Sequence, residues 1–212
     1  MPPNFKFETQ FQELGYPIIA GVDEVGRGSI AGPIVAAAVV FFDYPKLKKK
    51  LKGVDDSKKL LAKDRVELDV IIKKVATDYS IGEVGVEEIE RLGIGAANIL
   101  AFKRALDKLK KVDFALIDGR RFRGFDREYL CLEKGESHSL SIAAASIIAK
   151  VYRDNLMSNI EVGERYCFSE NKGYGCSKHY QALEEFGPSK HHRSLFLRKF
   201  YQKKETNTLF EI

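Results

Sequence analysis

Two acids, Asp23 and Glu24, stand directly before a glycine-rich turn in GVDEVGRGSIAG, residues 21 to 32. Glycines let backbone amides approach an anion closely. Two carboxylates nevertheless repel a bare phosphate at short range, and only a bound cation reverses that sign. The pattern points to metal-assisted phosphate chemistry with hard oxygen donors, which suit magnesium or manganese. Acids beside glycine also simply begin turns, and that plainer reading fits the stretch taken alone. Asp118 adds weight to the metal reading, because it ends the apolar run FALI as Asp23 ends its own. Strand ends of α/β sheets are where sites collect. Glu136 in LEKGESHS and Asp154 in KVYRDN are further candidates, although Asp154 equally suits a surface ion pair with Arg153.

Gly26, Gly28 and Ala31 also match the spacing G-x-G-x-x-A of a dinucleotide-binding loop. That loop must open directly into a helix whose N-terminus cradles the pyrophosphate. Here Pro33 and the β-branched residues behind it favour a second strand and a hairpin-like turn.

The elements that would carry these acids are legible as runs. PIIAGVDE (17 to 24) and PIVAAAVVFF (33 to 42) read as buried strands, and YSIGEVGV as a third. A lysine-rich loop (KLKKKLKGVDDSKKL) precedes a helix over 62 to 76, whose apolar spacing is set by Val66, Val70 and Ile71. Residues 86 to 111 read as one or two helices, DFALIDG as a short buried strand, and Tyr129 to Leu132 as a weaker one. The helix SIAAASIIAKVYRDNLMSNI is rich in Ala and Ser, which lets it pack close to a sheet. From Tyr166 the chain turns polar and basic, with helical stretches from His179 to Phe186 and after Ser194.

A chain of 212 residues, 44% hydrophobic, is long enough for one full core and short for two. Its net charge of +5 favours an anionic partner only weakly, since 35 basic residues face 30 acidic ones. Cys131, Cys167 and Cys176 are odd in number and lack a C-x-x-C pair, so a reducing cytoplasm fits better than export. MPPNFKFETQ has no apolar signal core, and the run from Ile34 to Phe42 is too short to span a bilayer. His138, His179, His191 and His192 form no zinc pattern. Lys190, Arg193, Arg198, Lys199, Lys203 and Lys204 make a basic region suited to tracking a phosphate backbone, or a solvated helix face.

Taken in order, six segments resemble the signatures of ribonuclease HII, the type 2 ribonuclease H family. They are DEVGRG (23 to 28), DSKKL (56 to 60), LIDG (116 to 119), KGESHSLSIAAASIIAKVYRD (134 to 154), KGYG (172 to 175) and HHRSLF (191 to 196). The resemblance implies an α/β fold, an RNase H-like mixed five-stranded sheet flanked by helices, with a C-terminal helical extension. It divides the chain into a catalytic core, 1 to 165, and a substrate-binding extension of the same domain, 166 to 212. Asp23, Glu24, Asp118 and Glu136 are implied as the ligands of two magnesium or manganese ions, with Asp23 central. Gly26, Arg27 and Gly28 would sense a 2′-hydroxyl together with Tyr174, while Lys58, Lys150 and Arg193 would contact the substrate backbone.

The implied activity is hydrolysis of RNA in RNA–DNA hybrids and cleavage 5′ of ribonucleotides embedded in duplex DNA, leaving 3′-hydroxyl and 5′-phosphate ends. A cytoplasmic monomer in ribonucleotide excision repair is the matching setting. Two residues depart from the family pattern. Glu136 stands where type 2 enzymes usually carry aspartate, and Cys176 where the loop usually continues with Thr or Ser. Glutamate at 136 resembles the type 3 relatives, which cut runs of ribonucleotides, but those have G-K-G where this chain has Arg27. The basic surface would also suit a nucleic-acid-binding module without turnover, and the glycine spacing taken alone a dinucleotide-binding oxidoreductase. The terminal TLFEI resembles a sliding-clamp peptide as well as a frayed tail.

Overall fold

The structure, a computed structural model, describes residues 2–208. Short β-branched and alanine-rich runs bounded by Gly and Pro form the centre of the molecule. Strands β1 (Ile19–Val25) and β2 (Ile34–Val40) are an antiparallel pair in which Asp23 lies opposite Ala37. The turn between them carries the glycines, so the hairpin expected from Pro33 forms and no helix follows Gly28. Strand β3 (Asp78–Val84) continues the antiparallel edge, while β4 (Phe114–Asp118) and β5 (Tyr129–Leu132) run parallel to β1 on its other side. The result is a mixed five-stranded sheet in the order β3-β2-β1-β4-β5.

Alternation along β1 and β2 divides the core into two layers. Val35, Ala37 and Val39 face α6 (Leu140–Ser158) and α3 (Ala62–Val75), joined by Leu68 and Ile72. Ala20, Val22, Ala36 and Ala38 face α5 (Ile94–Asp107), through Ala97, Ala101 and Ala105. Helix α6 lies so close to β1 that a Cβ built on Gly21 would stand 2.2 Å from the backbone carbon of Ser141. Glycine on the strand and Ala or Ser on the helix are what that approach requires.

The remaining helices are α1 (Lys6–Glu13), α2 (Tyr44–Lys50), α4 (Val86–Leu92), α7 (Phe168–Asn171), α8 (Ser177–Phe186) and α9 (Ser194–Thr208). A third cluster packs this C-terminal region onto the glycine-rich turn: Ile30 and Ala31 meet Met157, Phe168, Leu183 and Leu197. Among the described residues no helix is long and apolar enough to cross a membrane. TLFEI beyond Thr208 and the side chains of Lys199, Lys203 and Lys204 lie outside the described residues.

Two expectations are corrected, and one helix is added. Helix α3 forms where expected but is turned the other way: Val66, Val70 and Ile71 are exposed, and Leu68, Asp69 and Ile72 are buried. The lysine-rich segment begins as α2 rather than as loop, since Tyr44 and Leu47 bury one side of a helical turn. Helix α1, for which no element was expected, packs Phe7 and Phe11 onto the core and is held by buried Glu8, which accepts from the Ser139 hydroxyl at 2.7 Å and the Ser141 amide at 3.0 Å.

Contrasting alanine substitutions test the close approach. Gly21→Ala should destabilise the fold by about 1–3 kcal/mol, because helix and strand backbones must separate. Gly28→Ala, where a Cβ would meet nothing within 4 Å, should leave the denaturant midpoint unchanged.

Candidate active site

Parallel pairing of β1 with β4 sets Val22 beside Ile117, so Asp23 and Asp118 follow side by side where that pairing ends. Both point to the α6 face of the sheet, whereas Glu24 points to the α5 face. Asp23 is nearly inaccessible; it accepts hydrogen bonds from the Glu24 amide, at 2.7 Å, and from the Ser146 hydroxyl of α6. Ser146 in turn lies 2.8 Å from the hydroxyl of Ser57, which ties the DSKKL segment to the first acid. Glu24 accepts from Asn98, the polar residue set among the buried alanines of α5.

Glu136 reaches the same place from a short 3-10 turn, Gly135–Ser137, that links β5 to α6. The Gly135 amide donates to Asp118 Oδ1 at 2.6 Å, and the Glu136 carboxyl lies close enough to Asp118 to raise its pKa. Lys58 stands 3.9 Å from Glu136 Oε1, with its ammonium in solvent. Glu136 Oε2 is buried without a hydrogen-bond partner among the described residues.

Charge crowding is the dominant property of the pocket. Burial, then the charges of Glu24 and Asp118, push Asp23 well above the usual carboxylate range. Burial raises Glu24 against the opposing pull of Arg27. Burial and Glu136 push Asp118 up to about 7. Four oxygen-donor side chains under mutual repulsion, one with an orphaned buried oxygen, fit a divalent cation by donor type and by charge. They do not form a finished cage: among the described residues no three His, Cys, Asp or Glu side chains are gathered tightly enough to hold an ion.

The glycine-rich turn beside the acids is shaped from beneath by two arginines. Arg153 of α6 is fully buried and donates to the carbonyls of Pro33 (2.9 Å), Lys172 (2.8 Å) and Ala31 (3.1 Å) and to the Ser29 hydroxyl (2.8 Å). Gly26 has φ of 86°, and a Cβ there would stand 2.1 Å from Arg153 Nε, so glycine is required twice over. Arg193 was expected among the cations facing the substrate; it is instead fully buried and donates to Gly32 O and Arg27 O. Its charge is spent on the turn's carbonyls, and its place is structural. Arg27 and Gly28 face solvent.

Tyr174, exposed, lies on the loop next to this turn. Its ring is 5.5 Å from the Arg153 guanidinium and 5.9 Å from the Lys150 ammonium. The Gly173 carbonyl accepts from the amides of Ile30 and Ala31, at 2.9 and 3.1 Å, so turn and loop form one unit. Asp154 pairs with Lys150 at 2.9 Å and not with Arg153, and it does not join the four acids. Sequence reasoning missed Ser146, Asn98 and the burial of Arg153. A lone Asn within an alanine face was the one available signal.

A profile of the Ribonuclease HII family matches residues 20–203. The chain belongs to the ribonuclease HII family. The ribonuclease HII of Clostridioides difficile is 45% identical over 194 residues, covering 91% of this chain and 74% of that protein. The crystal structure of ribonuclease H2 from Pyrococcus horikoshii superposes with a TM-score of 0.74 at 25% identity, covering 88% of this chain and 98% of that one. The ribonuclease HII of Archaeoglobus fulgidus, solved in complex with PCNA, gives a TM-score of 0.69 at 25% identity, over 83% and 93%. Family membership makes the chain a ribonuclease H endonuclease and identifies its sheet and flanking helices as the fold of that family.

The crowding has a measurable sign. A folded-state pKa near 7 for Asp118, above its ordinary 3.8, means that the folded chain binds more protons than the unfolded one in that window. Stability of the metal-free protein should therefore fall as pH rises from about 4 to 7 and level off above it. Asp118→Asn should flatten that slope and raise the melting temperature at pH 7. Magnesium should reverse the trend for the parent chain.

Proposed function

We propose that this chain hydrolyses RNA in RNA–DNA hybrids and cuts duplex DNA 5′ of embedded ribonucleotides, leaving 3′-hydroxyl and 5′-phosphate ends. The observation that carries the reading is the junction of four carboxylates with the Gly26-Arg27-Gly28 turn and Tyr174. Metal-binding acids and a sugar-sensing surface lie within one site. Asp23, Glu24, Asp118 and Glu136 would hold two divalent ions, magnesium or manganese, and the orphaned Oε2 of Glu136 supports that assignment. Bound there, the ions supply a hydroxide at neutral pH and neutralise the charge that develops on phosphate and leaving oxygen.

The protein's own groups position the substrate. Lys58 and Lys150 offer ammonium groups to backbone phosphates, which fix register without reading sequence. The open face of Gly28 lets a sugar approach the backbone, where an amide or carbonyl can detect a 2′-hydroxyl. Tyr174 packs against the sugar that follows. Helices α8 and α9 of the 166 to 212 extension hold the duplex beyond the cut, in a monomer working in the cytoplasm on ribonucleotide excision repair. The PCNA complex of the Archaeoglobus fulgidus relative supports a sliding clamp as a partner for the terminal TLFEI. Glu136 favours a second reading, a type 3-like preference for ribonucleotide runs, and a substrate with one embedded ribonucleotide separates the two.

Asp23→Asn should lower cleavage of a singly substituted duplex by about 100-fold or more, the scale of one lost electrostatic stabiliser. Duplex binding, supplied mainly by phosphate contacts, should hold to within a few-fold. Wild-type turnover in that variant would remove Asp23 from the mechanism. Glu136→Asp should shift the ratio of magnesium to manganese activity, since magnesium demands tighter octahedral geometry. An unchanged ratio and rate would count against Glu136 as a ligand.

A further inference from the structure

Two histidines that the chemistry leaves unused lie beneath the sensing loop. His179 of α8 is fully buried and His192 is 6% exposed, and their Nε2 atoms are 3.0 Å apart. At one end His179 Nδ1 is 2.9 Å from the Tyr174 carbonyl oxygen. At the other end His192 Nδ1 is 3.0 Å from the Ser189 backbone nitrogen and 2.9 Å from its hydroxyl.

The two ends dictate where the protons sit. A carbonyl only accepts, so His179 carries its hydrogen on Nδ1 and presents a bare Nε2. A backbone amide only donates, so His192 has a bare Nδ1 and carries its hydrogen on Nε2. That hydrogen points at the bare nitrogen of His179. Both ends thus demand the same assignment, and one neutral tautomer of each ring satisfies every polar atom in the chain of bonds. Burial lowers the pKa of both rings, and His179 adds to the lowering of His192, which falls to about 4. Around the pair stand Tyr166 and Phe168, with ring centroids 4.5 Å from His192 and 5.3 Å from His179 respectively. Among the described residues no carboxylate contributes to the shift of either ring.

This relay joins both parts of the sensing surface. Tyr174 is reached through its carbonyl, and its amide is separately tied to Asn171 O at 2.9 Å. His192 precedes Arg193, whose guanidinium donates to Arg27 O at 3.2 Å. A shift of either histidine therefore alters the spacing between Tyr174 and the Gly26-Arg27-Gly28 backbone.

We propose that His179 and His192 are positioning residues for ribonucleotide recognition: a tautomer-locked pair that sets the distance between Tyr174 and the glycine-rich turn. The proposal rests on the reading of Tyr174 as the residue that packs on the sugar after the ribonucleotide.

Asparagine and glutamine at 179 separate the two ends of His179. The Asn amide stands where Nδ1 stood and keeps a donor for the Tyr174 carbonyl, while the Gln amide reaches the Nε2 position and serves only His192. The readout is the ratio of kcat/KM on a duplex with one ribonucleotide to that on a uniform hybrid, with Tyr174→Ala as reference. His179→Gln should change this ratio about tenfold in the same direction as Tyr174→Ala, the scale of one lost buried hydrogen bond. His179→Asn should stay within about threefold of the parent. Equal ratios in the two variants, with equal losses of melting temperature, would mean a merely structural pair and overturn the proposal. A changed ratio in Tyr174→Ala with His179→Gln at the parental value overturns the role of the pair alone. An unchanged ratio in Tyr174→Ala overturns the reading of Tyr174 and this proposal with it. Long-range nitrogen-proton spectra of the unmodified protein add a test that needs no variant. They should show His179 protonated on Nδ1 and His192 on Nε2, and any other pair of tautomers refutes the lock.

Discussion

The contact on which the rest of the molecule depends is the near-touching of α6 and β1 at Gly21. Because no side chain intervenes there, the helix runs along the sheet at backbone distance and delivers a stripe of residues to fixed places. Ser146, Lys150, Arg153 and Met157 recur at helical spacing over a rise of about 16 Å. The first bonds Asp23, the second lies over Tyr174 with Arg153, and the last two lie under Gly26, Gly32 and Gly173. One helix therefore sets the distance from the acids to the glycine-rich turn and Tyr174. Ser139, at its N-cap, accepts from the Ile142 amide and anchors the turn that carries Glu136.

Acids and arginines make opposite demands on this scaffold. Among the described residues, the carboxylates crowd where no protein cation is buried with them, which raises the cost of their ionisation. The arginines are buried without a carboxylate bonded to either guanidinium, and carbonyl oxygens of the turn satisfy them instead. Buried charge is tolerated only when its hydrogen bonds are met. For Arg153 and Arg193 that condition is fulfilled by a loop whose carbonyls turn inward. The same inward turn leaves the opposite side of the loop, at Gly28, open to solvent.

Much of the sheet was legible because its signals are local. Tyr129 to Leu132 forms the weak strand expected of it, and Pro33 correctly excluded a helix after Gly28. The four acids were legible as types and, through the family pattern, as a set, but their crowding is a property of strand register that no local pattern encodes. Helix α3 was turned wrongly because Val66, Val70 and Ile71 form an apolar stripe that the fold leaves outside, while Asp69 goes in with Lys73 as its partner at 2.8 Å. Arg193 was misjudged for a related reason. In sequence a cation next to other cations reads as surface, and only the carbonyls of Arg27 and Gly32, more than 160 positions away, explain its burial.

The buried arginines also bear on how ionic strength acts on this protein. Mobile ions screen Lys58 and the exposed cations within a Debye length of about 8 Å at physiological salt, but they do not enter the packed interior. The positive charge under the glycine-rich turn is therefore insensitive to ionic strength, while the charge on the rim is screened. Rising salt weakens what the rim contributes, while the inward bonds of the two guanidinium groups to the turn's carbonyls, and with them the shape of the turn, persist.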